Sequence, residues 1–388
     1  MIEIRTPTVD DLDAMFRRDE EAFGGAFTDE QRTTWRGLLD LDRFHIACDG
    51  TSLVGLAGSH ELELTLPGGA TVPMAGTTWV SVAPTHRRQG LLRRLMDAVH
   101  ADADQRGEPV AGLQASEATI YERFGYGAAT KWRHVEIDRR RVGLTERFIP
   151  DPGGLTMVDP MEHVEELAGI YDRYRRRTPG EVSRTAAWVE MRLKEEPGRC
   201  RGVLHRDGYA IWTITEDWNE FDARHELRLH DLVACTPDAF RSLWNMVLSH
   251  DLVGPIRSRQ SVTLDDPLPQ LLTDPRQVKT VAVHDFLWLC PRRVGDLLAA
   301  RRYRVADELV VDVDGERWRI EGGPQGALAS VTDVEPDVSM TRAAMGSLML
   351  GGVTATELAA SDRLTGTDLP RVDAFFGWAP ASHCTTSF

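Results

Sequence analysis

The chain of 388 residues is too long for one ordinary domain and has room for two or three. Its 45 basic and 60 acidic residues leave a formal net charge of −15, which excludes the usual electrostatic footprint of a nucleic-acid binder and argues against docking on an anionic membrane. With 42% hydrophobic residues, no apolar run near the ~18 that span a bilayer, and a strand-like start (Met1-Ile2-Glu3-Ile4-Arg5) instead of a signal peptide, it reads as a globular cytoplasmic protein.

In chain order, Glu3-Ile4-Arg5 opens a strand and Thr8-Val9-Asp10-Asp11 caps a helix to about Phe23. Thr28-Asp29-Glu30 caps a second helix. Strands are expected at His45–Cys48, Ser52–Leu66 and Val72–Val82, the last two turned by Pro67-Gly68-Gly69. A helix follows Pro84-Thr85 and runs to about Arg106, with Leu91, Leu92, Leu95, Met96 and Val99 at helical spacing. The strand Val110–Leu113, a short helix at Ala118–Phe124 and a last strand at Ala128–Ile137 complete a first unit, residues 1–140. Arg139 to Gly154, with Pro150-Asp151-Pro152-Gly153-Gly154, marks a boundary.

A second unit, residues 150–285, holds helices near 161–176 and 183–196 and strands at Gly202–His205, Tyr209–Thr215 and His225–Ala234. The last of these strands enters a helix begun by Thr236-Pro237-Asp238. That succession mirrors Trp79–Val99 but lacks its arginine pair and glycine, as a degenerate internal repeat would. A third unit, 286–388, carries a helix at Pro291–Arg301, strands Glu308–Val313 and Glu316–Glu321 turned by Asp314-Gly315, and helices near 341–350 and 354–360. The tail, Pro380 to Phe388, has no charged side chain. The five cysteines are scattered, odd in number and form no CxxC, so neither a disulfide framework nor a metal site is expected.

The segment with chemistry in it is Trp79-Val80-Ser81-Val82-Ala83-Pro84-Thr85-His86-Arg87-Arg88-Gln89-Gly90-Leu91-Leu92-Arg93-Arg94. A strand runs into a helix whose first turn is expected to hold Arg88, Gln89 and Gly90. Free backbone N–H groups at a helix N-terminus attract an anion, glycine lets it approach, and arginines add charged hydrogen bonds. That combination suits a pyrophosphate.

The succession strand, R-x-x-G loop, helix, strand, short helix with tyrosine resembles the Gcn5-related N-acetyltransferase (GNAT) superfamily. More narrowly, Val82–Leu92 together with Ala115-Ser116-Glu117-Ala118-Thr119-Ile120-Tyr121-Glu122-Arg123-Phe124-Gly125-Tyr126-Gly127 resembles the enhanced intracellular survival (Eis) family. The resemblance implies an α/β (α+β) architecture: tandem GNAT folds, with mixed, mainly antiparallel sheets and flanking helices, then a C-terminal sterol-carrier-protein-like domain. It implies acetyl-CoA as cofactor, with the Val80-Ser81-Val82 backbone along the pantetheine arm. Arg87, Arg88, Gln89, Gly90, Leu91, Leu92 and Arg93 would hold the pyrophosphate, with Ser116 and Glu117 beside the cofactor. Tyr121 matches the family's general acid, Tyr126 being the competing tyrosine, and the Phe388 carboxylate matches its general base.

The implied reaction is acetyl transfer to primary amines of cationic small molecules, aminoglycosides acetylated at several positions, by a homohexamer. Phe23, Phe27, Trp35 and Trp79 are candidate pocket walls, and the six acids of residues 10–21 a candidate attractor for cations. Two alternatives stand beside this: a protein Nε-lysine acetyltransferase, and a lipid-binding carrier with an inert GNAT domain.

Overall fold

The computed structural model describes residues 2–145, 154–196, 198–219 and 222–388; residues 146–153 of the expected boundary lie outside them. Contacts gather these residues into two compact units. One holds the chain up to Thr130, then Phe286–Ser382 and Ser387–Phe388; the other holds Lys131–Asp285 and His383–Thr386.

The first unit is built on a seven-stranded sheet. Strands β1 (Glu3–Arg5), β2 (Phe44–Asp49), β3 (Ser52–Thr65) and β4 (Thr71–Val82) pair antiparallel in sequence order. β5 (Val110–Gln114) lies parallel to β4. Helix α1 (Leu12–Phe23) ends on Gly24, and α2 (Asp29–Leu38) starts on a Thr28–Gln31 capping box. α3 (Leu91–Arg106) buries Leu91, Leu95 and Val99 against Ala47, Val54 and Ala57 of the sheet. α4 (Ala118–Tyr121) follows β5.

Two features of this sheet position everything that follows. β4 and β5 pair only over Met74–Gly76 and Val110–Gly112, and then part. Just beyond, β4 bulges against β3: Leu56 faces Ser81 while Gly58 faces Thr78, so Trp79 and Val80 together oppose Ala57. Trp79 takes a left-handed φ of 52°, a strain of about 1–3 kcal/mol for a non-glycine residue. Burial offsets it, because the indole packs among Phe16, Phe27, Trp35 and Phe44 with ring centroids 5.5–6.0 Å away.

The expected strand Ala128–Ile137 is not one strand. Gly127–Ala128 pairs with Leu287–Pro291, which in turn lies antiparallel on the free side of β5. Thr130 ends the run: its carbonyl accepts the Phe286 N–H and its hydroxyl the Leu287 N–H, both at 3.0 Å. Lys131–Asp138 then enters the sheet of the other unit, between Val253–Ser258 and Val278–Asp285, where Val135 and Ile137 are buried. Residues Leu287–Pro291, read as the start of the third segment, therefore complete the first sheet. The reason is long-range pairing, which leaves no local mark.

The rest of the first unit is a five-stranded sheet in the spatial order Gly326–Val331, Glu316–Gly323, Asp307–Val313, Val338–Met340, Leu364–Gly366. Four helices accompany it, including Leu369–Phe376, which the sequence reading did not anticipate. The other unit is a seven-stranded sheet with helices Val164–Arg175, Ala186–Glu195 and Pro237–Leu248.

Replacing Trp79 with alanine removes the packing that holds the bulge, at a cost of about 3–5 kcal/mol. A lowered denaturant midpoint would show it; an unchanged midpoint would mean that the bulge is stable without its indole.

Candidate active site

The parting of β4 and β5 opens a cleft of about 870 Å³. One wall is Val80-Ser81-Val82 at the end of β4, whose edge toward β5 is outside the ladder. The floor and mouth are His86, Arg87, Arg88, Gly90 and the first turn of α3, Leu91, Leu92 and Arg93. The opposite wall is Ser116, Glu117, Ile120, Tyr121, Arg123 and Phe124, and Ala22 and Phe23 border it from α1.

The loop differs from expectation in one respect. Arg88, Gln89 and Gly90 precede the helix, because Arg88 (φ 64°) and Gly90 (φ 76°) are left-handed and cannot belong to a helical turn. Gly90 is the N-cap. It offers no side-chain cap, and an added Cβ there would meet nothing within 4 Å. The first intrahelical bond runs from Arg94 N–H to Gly90 C=O, so the N–H groups of Leu91, Leu92 and Arg93 remain available to an anion.

The corresponding turn of the second unit shows the contrast. There Thr236 caps Pro237–Leu248, its hydroxyl accepting the Ala239 N–H at 3.2 Å. A side chain occupies the place that Gly90 leaves open.

Charge is local. Arg87, Arg88, Arg93 and Arg123 face the cleft with Glu117 as the one carboxylate among its lining residues. Arg93 and Arg123 also lie over the ring of Phe124, at 5.7 and 5.5 Å from its centroid. Arg123, Phe124, Ile120, His86 and Ala22 were not singled out from the sequence. Arg123 and Phe124 sat inside the quoted motif, but nothing in their spacing announces a cation–π pair. Gln89 is not among the cleft-lining residues, and Arg94 bonds to the Ile2 carbonyl at 3.2 Å.

Of the two tyrosines, Tyr121 lines the cleft and Tyr126 does not. Tyr126 is fully buried, its hydroxyl between Thr77 Oγ1 and His100 Nε2 at 3.0 Å each. Burial pushes the Tyr121 phenol above its ordinary value of about 10, and the charge of Glu117 adds to this, with Ser116 opposing. Tyr121 therefore stays protonated through neutral and mildly alkaline pH.

The chain end also reaches this unit. The Phe388 N–H donates to Gln114 Oε1 at 3.0 Å, at the last residue of β5 and two positions before Ser116. Its ring lies over Gly76, where an added Cβ would come within 3.1 Å of it.

The four aromatic candidates separate. Phe23 lines the cleft and is 54% exposed. Phe27, Trp35 and Trp79 lie in the aromatic cluster with Phe16, outside the lining of this cleft. The acidic run of α1 is largely paired: Asp11 with Arg5 at 2.8 Å, Asp13 with Arg36 at 2.6 Å, Glu20 with Arg32 at 2.5 Å and Glu21 with Arg18 at 2.8 Å. Asp19, half-buried, is pushed up to about 7 by burial and by Glu20.

Comparison with known proteins decides the family. An acetyltransferase (GNAT) domain family matches residues 3–129, a second acetyltransferase (GNAT) domain family residues 180–294, and a sterol carrier protein domain family residues 294–385. The N-acetyltransferase Eis of Mycobacterium tuberculosis is 37% identical over 97% of this chain and 96% of its own length. The chain belongs to the Eis family of GNAT N-acetyltransferases. The crystal structure of Eis1 from Mycobacterium abscessus superposes with a TM-score of 0.90 at 33% identity, covering all of both chains. A GCN5-related N-acetyltransferase from Kribbella flavida, at 20% identity and a TM-score of 0.82 over 100% and 98% of the two chains, shares the fold.

This Eis-family chain is thus two GNAT domains and a sterol-carrier-protein-like domain, an N-acetyltransferase whose acceptor is an amine and whose cofactor is acetyl-CoA. The donor set fits that cofactor: a cluster of arginines, three helix N–H groups and an uncapped glycine suit a pyrophosphate, and an unpaired strand edge suits an amide-bearing arm.

Arg88→Ala and Arg93→Ala should each weaken coenzyme A binding about tenfold, near the low end for charged hydrogen bonds (about 1.5 kcal/mol) because both side chains face solvent. Calorimetric titration at low and high salt measures this; affinities equal to the unsubstituted protein would take the loop out of cofactor binding.

Proposed function

We propose that this chain acetylates primary amines of cationic small molecules, aminoglycosides among them and at more than one position, with Tyr121 as general acid and the Phe388 carboxylate as general base. The observation behind this is the placing of Tyr121 in the cleft that also holds the arginine loop, with the chain end tethered to Gln114 next to Ser116.

Acetyl-CoA, when bound, supplies an activated thioester. Arg87, Arg88, Arg93 and the N–H groups of Leu91 and Leu92 would hold its pyrophosphate, while Val80–Val82 would pair with its arm. Tyr121 keeps a proton on Oη, ready for a leaving sulfur. Because its pKa lies above ~10 and a thiol's near ~8.5, full transfer is uphill, and Tyr121 contributes chiefly by hydrogen bonding as charge develops. The Phe388 carboxylate would attract the ammonium form of the substrate and take up its proton, directly or through water. An α-carboxyl near ~3.5 is a weak base in water, so this role needs the partly buried setting in which Phe388 lies.

The acidic stretch of α1 contributes less to cation attraction than its charge count implies, since four of its carboxylates are satisfied by arginines. Of α1, Ala22 and the exposed Phe23 border the cleft. A homohexamer in the cytoplasm is the assembly and location that this family reading carries with it; no helix among the described residues is long and apolar enough to cross a membrane.

Three measurements check the proposal. Tyr121→Phe should lower kcat by roughly 10²–10⁴-fold with coenzyme A affinity kept, and the unsubstituted enzyme should show no alkaline loss attributable to Tyr121 below about pH 10. Full turnover by the phenylalanine variant would remove the acid role. Extending the chain beyond Phe388 should abolish most turnover; full activity would dismiss the carboxylate. Finally, aminoglycosides should be acetylated in preference to lysine peptides, and the reverse preference would establish the protein-acetyltransferase alternative.

A further inference from the structure

The terminal residue is held by its own atoms, at the fork where β4 and β5 part. Ser387 before it is exposed, so no packing of that neighbour fixes where Phe388 lies. The Phe388 N–H donates to Gln114 Oε1 at 3.0 Å. Gln114 is the last residue of β5, and its backbone is paired with Leu287 in the ladder on the other side of that strand. The Phe388 ring lies against Gly76, the last residue of β4 still paired with β5. A Cβ at position 76 would stand 3.1 and 3.2 Å from two carbons of that ring, so the lack of a side chain there is what admits it.

Two anchors on one residue fix more than either does alone. The hydrogen bond holds the nitrogen and the ring holds Cβ, which leaves the Cα between them little freedom. The carboxylate carbon is one bond, about 1.5 Å, from that Cα. Only rotation about the Cα–C bond remains, and it turns the two oxygens without moving the carbon. With one anchor released, the residue pivots about the other. A base must stay within about 3 Å of the proton it takes, and a misplacement of about 1 Å at a reacting group can cost on the order of 100-fold in rate. Chain ends ordinarily fray, so one that serves as a base depends on such anchors.

We propose that Gln114 is a positioning residue for the terminal carboxylate, and that the Phe388 ring seated on Gly76 is the second anchor, so that turnover depends on the residue type at the chain end and not on its carboxylate alone. The inference rests on the base role proposed above for that carboxylate. Gln114, Gly76 and Phe388 all belong to the same compact unit.

The test uses the full chain with three substitutions made singly. Gln114→Met keeps the side-chain length and deletes the acceptor, Gln114→Glu keeps an acceptor oxygen, and Phe388→Ala keeps the carboxylate and deletes the ring. Two quantities are read: kcat, and hydrogen exchange of the Phe388 amide, followed by mass spectrometry of the C-terminal peptic peptide. In Gln114→Met exchange should be about tenfold faster, as loss of one hydrogen bond gives, and it should return to the original rate in Gln114→Glu. Gln114→Met and Phe388→Ala should each lower kcat about tenfold or more, with coenzyme A affinity within about twofold. In a chain extended by one glycine after Phe388, Gln114→Met should cause no further loss of kcat. Unchanged exchange in Gln114→Met, or exchange still fast in Gln114→Glu, overturns the Gln114 anchor whatever the identity of the base. Faster exchange with undiminished kcat overturns its role in turnover, as does an equal loss of kcat in the extended chain. Full kcat in Phe388→Ala overturns the ring anchor. Full activity of the extended chain alone would instead overturn the base role, which leaves the two readings separable.

Discussion

The parting of β4 from β5 is the constraint on which the rest of this molecule depends. Parallel pairing lasts three residues on each strand and then stops, and the bulge at Trp79 turns β4 away while its other edge stays paired with β3. Without that divergence Val80–Val82 would be an interior strand with no free edge, and Tyr121 would face a neighbouring strand instead of a cleft. The strain is borne by one residue in a left-handed conformation, and the aromatic cluster around its indole keeps it there. A functional opening in the sheet is thus maintained by a hydrophobic core beside it.

Electrostatics follow a similar division. The protein carries a net charge of −15, yet the cleft gathers four arginines against one glutamate. Four of the acids on and before α1 are bound to their own arginines. Short-range pairing leaves little of that charge to act at a distance, especially under salt screening. The groups that suit an anion are local, and the helix terminus among them is uncapped. The second domain shows the alternative outcome of the same local architecture: with Thr236 occupying the cap, the helix terminus satisfies itself.

That second domain is not idle structurally. Its buried Arg184 and Glu181 bind Thr385 and Thr386, and burial alone would raise the Asp231 carboxyl were it not for Arg184 and Arg192, which hold it below its ordinary range.

Much of this was legible in the residues themselves. Helix caps at Thr28 and Thr236, the apolar spacing of α3 and the strand-like runs of β2 to β4 are local signals, and local interactions produce them. The arginine–glycine loop could be singled out because an anion site needs particular residue types at short spacing, whereas only the family resemblance separated Tyr121 from Tyr126. What tertiary structure decided is what depends on partners distant in the chain. Leu287–Pro291 joined the first sheet and Lys131–Asp138 left it, since strand pairing across more than 140 residues writes nothing into either segment. Gly90 fell outside the helix because its φ is a property of the folded turn. Trp79 went to the core and Phe23 to the cleft, a choice between identical chemistries made by geometry alone. Nothing in Thr385 and Thr386 themselves announced their partners, because the charges that bind them, Arg184 and Glu181, stand some 200 positions away.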